Sequence, residues 1–525
     1  MSRLIKLILI SAFFNALAWI VLIPIWQYPD EQAHFAQVQD IAELGSVPAI
    51  KNTSREIDLS EQILSTRRDD FGNNKFTYHP DYKINYSDTH NGLFEDALKN
   101  LPKTARSELV KNEATQNPPL YYFFASLAYK FFYNGDLFER VYAARFVSLI
   151  IFALIIFLSF KIGQVISEDK IFPVVLSALV AFMPMFVFSS TGALPDPLTN
   201  LLFSILIFLS LLIIKNGLKS KYLTLALLTI YLGSLTRQQF LISLPMLGMA
   251  IFYRILKNYH LKSKNQVRIL LLMILLILIS FFVFRWKHVS VFSAPEIGSL
   301  NLGLIFKSDF YKYVALFTKE SIKQTMPWYW GVYRWLSLTL PPTYYRVINR
   351  FVAVALFGVL IRFFQMVRKK EIKKEDEILV FLILFSLTYV GLIMVWDYYF
   401  RLQYKYSFGI QGRYLFPLAI AHIAILLYGY RQIVRLIFKR YTNYGLFLIV
   451  GAMLAFNDLS LFHISGSYYD LSSVGTFIIQ ASQYKPLIVK GNTILLILII
   501  NVVLQVFLLA FTAQYAIKKP DQKYS

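Results

Sequence analysis

The chain of 525 residues is 56% hydrophobic and 17% aromatic, has 16% charged residues and a formal net charge of +22, and its mean hydropathy is +0.51. A soluble domain carries about 25% charged residues; here the charges are grouped between apolar runs long enough to cross a bilayer, which excludes a soluble globular protein. The basic excess fits Lys- and Arg-rich cytoplasmic loops facing anionic lipid rather than nucleic acid, and the absence of cysteine excludes disulfides, thiolate metal sites and cysteine nucleophiles.

Apolar runs of spanning length occur near 4–26, 140–160, 171–189, 195–214, 221–236, 239–256, 268–285, 346–366, 378–396, 413–430, 442–457 and 490–513. This predicts an all-α polytopic membrane protein of about twelve spans. The first run has a short basic start and no small-residue cleavage site, and reads as a retained helix rather than a removed signal peptide. With Arg3 and Lys6 in the cytoplasm, alternate loops hold Lys215, Lys219 and Lys221, then Arg254 to Arg268, Arg368 to Lys374, Arg431 to Arg440, and Lys518 and Lys519. Each is a short basic segment, as the positive-inside rule requires, so both ends of the chain are expected in the cytoplasm.

The external segments on this topology are 27–139, 286–345, 397–412 and 458–489, the first by far the longest. None has linker composition, so the chain reads as one transmembrane domain with its first loop folded against the membrane. Within that loop, 117–132 (NPPLYYFFASLAYKFF) is apolar. As a helix it would rise only about 22 Å, short of a hydrocarbon core about 30 Å thick. We read it as a helix lying at the outer interface, its tyrosines at head-group depth.

The first span is followed by YPDEQAHF, residues 28–35. Pro29 suits the first position of a helix, with Asp30 and Glu31 in its first turn, where the dipole favours acids. The helix is expected to run to Leu44 and stop at Gly45. Asp30, His34 and Gln37 share one helical stripe, expected to face outward at the membrane rim. Farther on, Asp196 starts a span between two prolines, Arg237 sits in a tight external turn, and Arg413 starts another span with Tyr414 beside it. Helix capping alone accounts for the acids, and snorkelling for the arginines. Taken together, acids at 30, 31 and 196 and arginines at 237 and 413 fall on one side of the membrane. That suits transfer from an anionic lipid-linked donor: acids take a proton from an acceptor hydroxyl, and arginines hold the departing phosphate.

The PDEQAHF segment looks like the Pro-Asp-Glu-x-x-His-Phe signature of a large group of bacterial membrane proteins placed near the GT-C glycosyltransferase superfamily. NPPLYYFFASLAY (117–129) resembles the Pro-Pro-Leu-Tyr-Tyr segment of GT-C enzymes, LPDPLTNLLF (194–203) their second acidic turn, and QGRYLFPL (411–418) the late signature of the group. The resemblance spans most of the chain. It implies a GT-C-like multi-span fold with an outward site beneath the first external loop, and a sugar donor carried on polyprenyl phosphate or diphosphate. In similar enzymes such as the protein O-mannosyltransferases an Asp-Glu pair opens that loop. By position, the resemblance assigns Asp30 as general base and Glu31 to acceptor orientation or as an alternative base; from their placement, His34, Asp196, Arg237, Arg413 and Tyr414 are expected to bind substrate. The chain departs from the aminoarabinose and mannosyl transferases in having Asn117 before Pro118, and in a short external C-terminal part.

The expected function is therefore transfer of a sugar to a cell-envelope glycan, glycolipid or protein acceptor, on the outer face of a bacterial cytoplasmic membrane. The rival classes are a flippase or transporter of lipid-linked sugars, and a polysaccharide polymerase or ligase. The apolar runs are almost free of charge and show no halved repeat, unlike a transporter. The sequence requires no cofactor; the external acids could hold a divalent cation such as Mg or Mn, but no ligand spacing singles out a metal set.

Overall fold

The computed structural model describes residues 2–47, 52–67, 85–112, 115–258, 308–334, 336–369, 372–407, 409–438 and 442–518. In chain order the helices are α1 (Ser2–Leu22), α2 (Glu31–Leu44), α3 (Arg55–Ile63), α4 (Asn91–Lys99), α5 (Leu120–Phe131), α6 (Leu137–Ile166), α7 (Ile171–Ala181), α8 (Pro184–Ser189), α9 (Asp196–Asn216), α10 (Ser220–Ser234) and α11 (Ser243–Asn258). They continue as α12 (Ser308–Glu320), α13 (Met326–Trp330), α14 (Pro342–Lys369), α15 (Lys374–Tyr404), α16 (Ala419–Ile437), α17 (Thr442–Tyr468), α18 (Val474–Ala481) and α19 (Asn492–Lys518). Sheet is confined, among the described residues, to two-residue antiparallel pairs: β1 (Thr53–Ser54) with β2 (Leu109–Val110), and β3 (Val332–Tyr333) with β4 (Leu338–Thr339).

Nine helical stretches among the described residues are long and apolar enough to cross a membrane. The fold is that of an all-α polytopic membrane protein. The expected span at 268–285 lies outside the described residues, as do 286–307 of the second external segment. The run at 171–189 is broken into α7 and α8, because Pro184 at the start of α8 cannot continue the preceding helix. The freed carbonyl of Ala181 accepts from Asn15 Nδ2 at 3.2 Å, which satisfies an orphan helix end inside the bundle. The run at 442–457 continues as α17 to Tyr468. Polar residues past Asn457 hide the continuation from an apolar-run reading. Asn457 is paired with Asn15 (2.8 Å) and with Trp19 Nε1 (3.1 Å), so it joins α17 to α1.

The bundle has two chemically different ends. At one end Lys215 donates to the Val165 carbonyl and Arg254 to that of Ile214. There too Lys257 pairs with Glu377, Arg431 with Glu375 at 2.6 Å, and Arg362 with Asp376. These are the basic loops assigned to the cytoplasm, gathered together. Close helix packing supports this arrangement: a Cβ on Gly358 of α14 would collide with the Gly429 carbonyl of α16, so two glycines let the backbones touch.

The segment between α1 and α6 folds on the opposite end. Arg140 of α6 clamps Glu56 of α3 through two hydrogen bonds, one of 3.0 Å to Oε2 and a second to Oε1 at 2.5 Å, and also reaches Tyr129 OH at 2.6 Å. Helix α5 buries Tyr121, Tyr122, Ala125 and Tyr129 against α2 and α6 and turns Phe123, Phe124, Leu127 and Phe131 outward. At 12 residues it is too short to span, and its exposed apolar face suits the membrane surface.

Candidate active site

The turn after α1 sets the site. Helix α2 begins at Glu31, and Asp30 is the residue before it, in the left-handed conformation (φ 62°, ψ 13°). Pro29 therefore lies outside the helix rather than at its first position. The Asp30 side chain makes no cap hydrogen bond. Instead its Oδ2 accepts from Arg413 Nη2 at 3.0 Å. The far end matches expectation: α2 stops at Leu44, with Gly45 at φ 70°.

Glu31 points the other way. It has no exposed surface, and its two oxygens accept from Arg145 Nε (2.8 Å) and Nη2 (2.7 Å), from the Trp26 amide (3.0 Å) and from the Ala193 amide (3.0 Å). Arg145 spends its remaining donors on the carbonyls of Ile20, Ile23 and Pro24 at the end of α1, and stacks over the rings of Tyr28 and Tyr142. A carboxylate with every acceptor site taken has no room to orient or deprotonate an acceptor. Glu31 instead joins the end of α1, the start of α2 and the 190–195 turn.

That turn delivers the second acid. Tyr28 OH meets Thr191 Oγ1 at 3.0 Å, and Ser148 Oγ donates to the Gly192 carbonyl at 2.7 Å. Asp196 then opens α9 and pairs with Arg237, which follows α10. Arg413 Nη1 lies 3.8 Å from Asp196 Oδ2, and its Nε donates to Gln411 Oε1 at 2.7 Å. Four residues distant in sequence thus form one alternating chain, Arg237–Asp196–Arg413–Asp30. Arg413 lies over the Tyr414 ring at 5.6 Å, and the Tyr414 carbonyl accepts from Tyr389 OH. The Asp30 side chain keeps 29% of its surface open, against 6% for that of Arg413.

His34, one turn into α2, faces inward rather than outward. Its Nδ1 meets Tyr122 OH at 2.7 Å, and that hydroxyl accepts from Asn117 Nδ2 at 3.1 Å. Burial pushes the imidazole down to about 4; Asp30 and Asp196 oppose that shift, and Arg237 and Arg413 add to it. Gln37 is buried too: its side chain bonds both the carbonyl (2.6 Å) and the amide (2.9 Å) of Asn117. The expected outward stripe is thus the seam on which the Asn117-Pro118-Pro119 segment is held. The start of α5 is tied in turn to the Arg237 turn by Leu120 N donating to the Leu235 carbonyl.

The structure brings together Asp30, Asp196, Arg237, Arg413, Tyr414 and His34, and sets Glu31 beneath them in a pair of its own. Arg145 and Arg140, which the sequence analysis does not single out, lie inside the apolar run at 140–160. The signal was present, since an arginine near a span terminus demands a buried partner. Among the described residues no group of three or more His, Asp or Glu side chains could hold a metal ion. Asp30 and Asp196 each face a guanidinium group, a donor set unlike the oxygen-rich shell of a divalent cation.

No curated protein matches the chain. Among solved structures it is similar to the oligosaccharyltransferase of Archaeoglobus fulgidus crystallised with Zn and sulfate (TM-score 0.44, 12% identity, 86% of this chain and 53% of that one). It is similar also to the archaeal oligosaccharyltransferase AglB from Archaeoglobus fulgidus in complex with an inhibitory peptide and a dolichol-phosphate (TM-score 0.41, 13% identity, 91% of this chain and 56% of that one). The chain thus spans little more than half the length of these structures. Residues 13–421 match the family described as Predicted membrane protein (DUF2142), and the chain belongs to that family.

Proposed function

We propose that this protein is an inverting glycosyltransferase of GT-C type that moves a sugar from a polyprenyl-phosphate carrier to a cell-envelope glycan, glycolipid or protein acceptor. The observation that carries the reading is the Arg237–Asp196–Arg413–Asp30 chain, set at the end of the bundle opposite the basic loops. By the positive-inside rule that end faces outward, on the bacterial cytoplasmic membrane.

In this reading the Asp30 carboxylate takes the proton of an acceptor hydroxyl as its oxygen attacks the anomeric carbon. The bond from that carbon to the phosphate oxygen breaks, and the electron pair leaves with the carrier phosphate. Arg413 and Arg237 stabilise the charge that grows on the phosphate. Asp30 is the acid suited to the proton, because it is the most open acid of the site, with 29% of its side chain exposed against 12% for Asp196, and Glu31 is fully engaged. Tyr414 and His34 wall the site, with His34 neutral at physiological pH.

The test is turnover of radiolabelled undecaprenyl-phosphate sugars by the purified protein in lipid vesicles, comparing wild type with Asp30→Asn. Carrier release by wild type alone is the expected result. Equal release by both proteins would remove Asp30 from the chemistry. Flipping of labelled carrier without sugar loss would replace the transferase by a transporter.

A further inference from the structure

Both arginines of the site face carboxylates, and Arg237 is incompletely satisfied. Arg237 Nε is buried and has no hydrogen-bond partner. Arg413 Nη1 stands 3.8 Å from Asp196, beyond hydrogen-bonding distance, while its Nη2 and Nε are engaged at 3.0 and 2.7 Å. A guanidinium presents a planar fork of five donors that fits two oxygens of a carboxylate or a phosphate. Each fork here is met by carboxylate on one edge, and that of Arg237 is left short at Nε.

Charge makes the arrangement decisive. Arg237, Asp196, Arg413 and Asp30 sum to zero, and the four side chains have between 6% and 29% of their surface exposed. An anion entering between them with all ion pairs intact would face two carboxylates at close range in a medium that screens poorly. The Asp30 side chain is the most open of the four, and it projects from a left-handed residue outside the helix, so it can leave Arg413 without unwinding α2.

We propose that Asp30 and Asp196 are resting-state occupants of a phosphate site on Arg413 and Arg237, and that a carrier phosphate displaces them, which frees the Asp30 carboxylate to act as base. This rests on the transferase reading for the identity of the anion. It makes donor binding the condition for acceptor activation: a carboxylate held by a guanidinium is a weak base, and one released beside a bound phosphate is a stronger one. The acceptor hydroxyl meets an active base only when a donor is present, so the order is donor first, acceptor second.

The test is equilibrium binding of undecaprenyl phosphate to the full chain in lipid nanodiscs, as a double-substitution cycle. Asp30→Asn removes a competitor for Arg413, so in the wild-type background it should tighten binding about tenfold. In an Arg413→Gln background there is nothing left to compete for, and the same substitution should change affinity by less than about twofold. Simple loss of repulsion predicts equal tightening in both backgrounds, and that result would overturn the proposal. So would an Asp30→Asn variant that binds no more tightly than wild type, or the absence of saturable binding. The parallel cycle with Asp196→Asn and Arg237→Gln uses the more exposed arginine and reads the same exchange if Arg413→Gln fails to fold. Because the readout is binding, a cycle that behaves as expected in a protein that transfers no sugar would keep the exchange and remove only the transferase.

Discussion

Glu31 and Arg145 meet through two hydrogen bonds of 2.8 and 2.7 Å with no surface left to solvent on either side chain. The pair is a joint: one partner opens α2 and the other, from α6, holds the carbonyls of Ile23 and Pro24, which follow α1. Breaking a buried pair from one side leaves an uncompensated charge and costs about 3–5 kcal/mol. Arg145→Met is expected to lose that much, and Glu31→Gln to approach it, in thermal unfolding of the solubilised protein. Asp30→Asn, one residue away, should unfold close to wild type. A Glu31→Gln protein as stable as wild type yet inactive would return Glu31 to the reacting atoms.

Asp30 carries two demands that can be separated by substitution. Its left-handed backbone suits Gly and Asn and penalises a residue with an ordinary Cβ by about 1–2 kcal/mol. Its carboxylate faces Arg413. Asp30→Asn keeps the backbone preference and an acceptor oxygen, Asp30→Gly keeps only the first, and Asp30→Ala keeps neither. The expected order of stability is Asn, then Gly, then Ala, while sugar transfer is lost in all three. Denaturation and transfer assays on the same preparations check both orders.

The contrast between these neighbours marks how far sequence reading reaches. Most of the spans, the end of α2 at Leu44 and the grouping of Asp30, Asp196, Arg237 and Arg413 at one end of the bundle are legible because hydropathy, charge asymmetry and glycine act over short distances; the start of α2 is not, since Pro29, expected at its first position, lies outside it. What is not legible is the direction of a side chain at a helix start. Asp30 and Glu31 are adjacent acids in a segment that predicts capping for both, yet one faces Arg413 and the other Arg145, each more than a hundred residues away. Only the tertiary positions of α6 and the 412–418 turn decide that. The outward stripe failed for a related reason. The residues that cover α2, from Thr115 to Tyr122, come from later in the chain and carry the polar partners of His34 and Gln37.

His34 gives a pH prediction with a fixed sign. Its imidazole titrates at about 4 in the folded protein, against the usual 6.5, chiefly because it is buried. Above 6.5 both folded and unfolded forms are neutral and the residue leaves stability independent of pH. As pH falls from 6.5 towards 4 the unfolded chain takes up the proton first, so stability is lost over that window. The full loss amounts to about 3 kcal/mol at 1.36 kcal/mol per pH unit. His34→Gln is expected to flatten the acid limb of a stability-against-pH curve between 6.5 and 4, and to leave the neutral region without a new titration. A transfer profile in which His34→Gln abolishes an inflection near 7 would contradict a neutral wall residue.

Gly192 offers a steric test that touches no charge. It lies in the turn that presents Asp196, with its carbonyl held by Ser148 at 2.7 Å. A Cβ built there would stand 2.7 Å from Tyr28 Cγ and 2.9 Å from Tyr28 Cβ, closer than real side chains approach. Tyr28 has no free volume to retreat into: it is fully buried, lies under the Arg145 guanidinium at 4.7 Å and is fixed through its hydroxyl to Thr191. Overpacking of this kind costs about 1–3 kcal/mol, and the strain falls on the two segments that set Asp30 and Asp196 facing the arginines. Gly192→Ala should therefore lower transfer more than its modest loss of stability explains. Combining it with Tyr28→Ala, which removes the Cγ the new methyl would strike, should recover part of the transfer. Unchanged transfer by Gly192→Ala would mean that the 190–195 turn can shift without moving Asp196, and that the spacing of the two acids is set elsewhere.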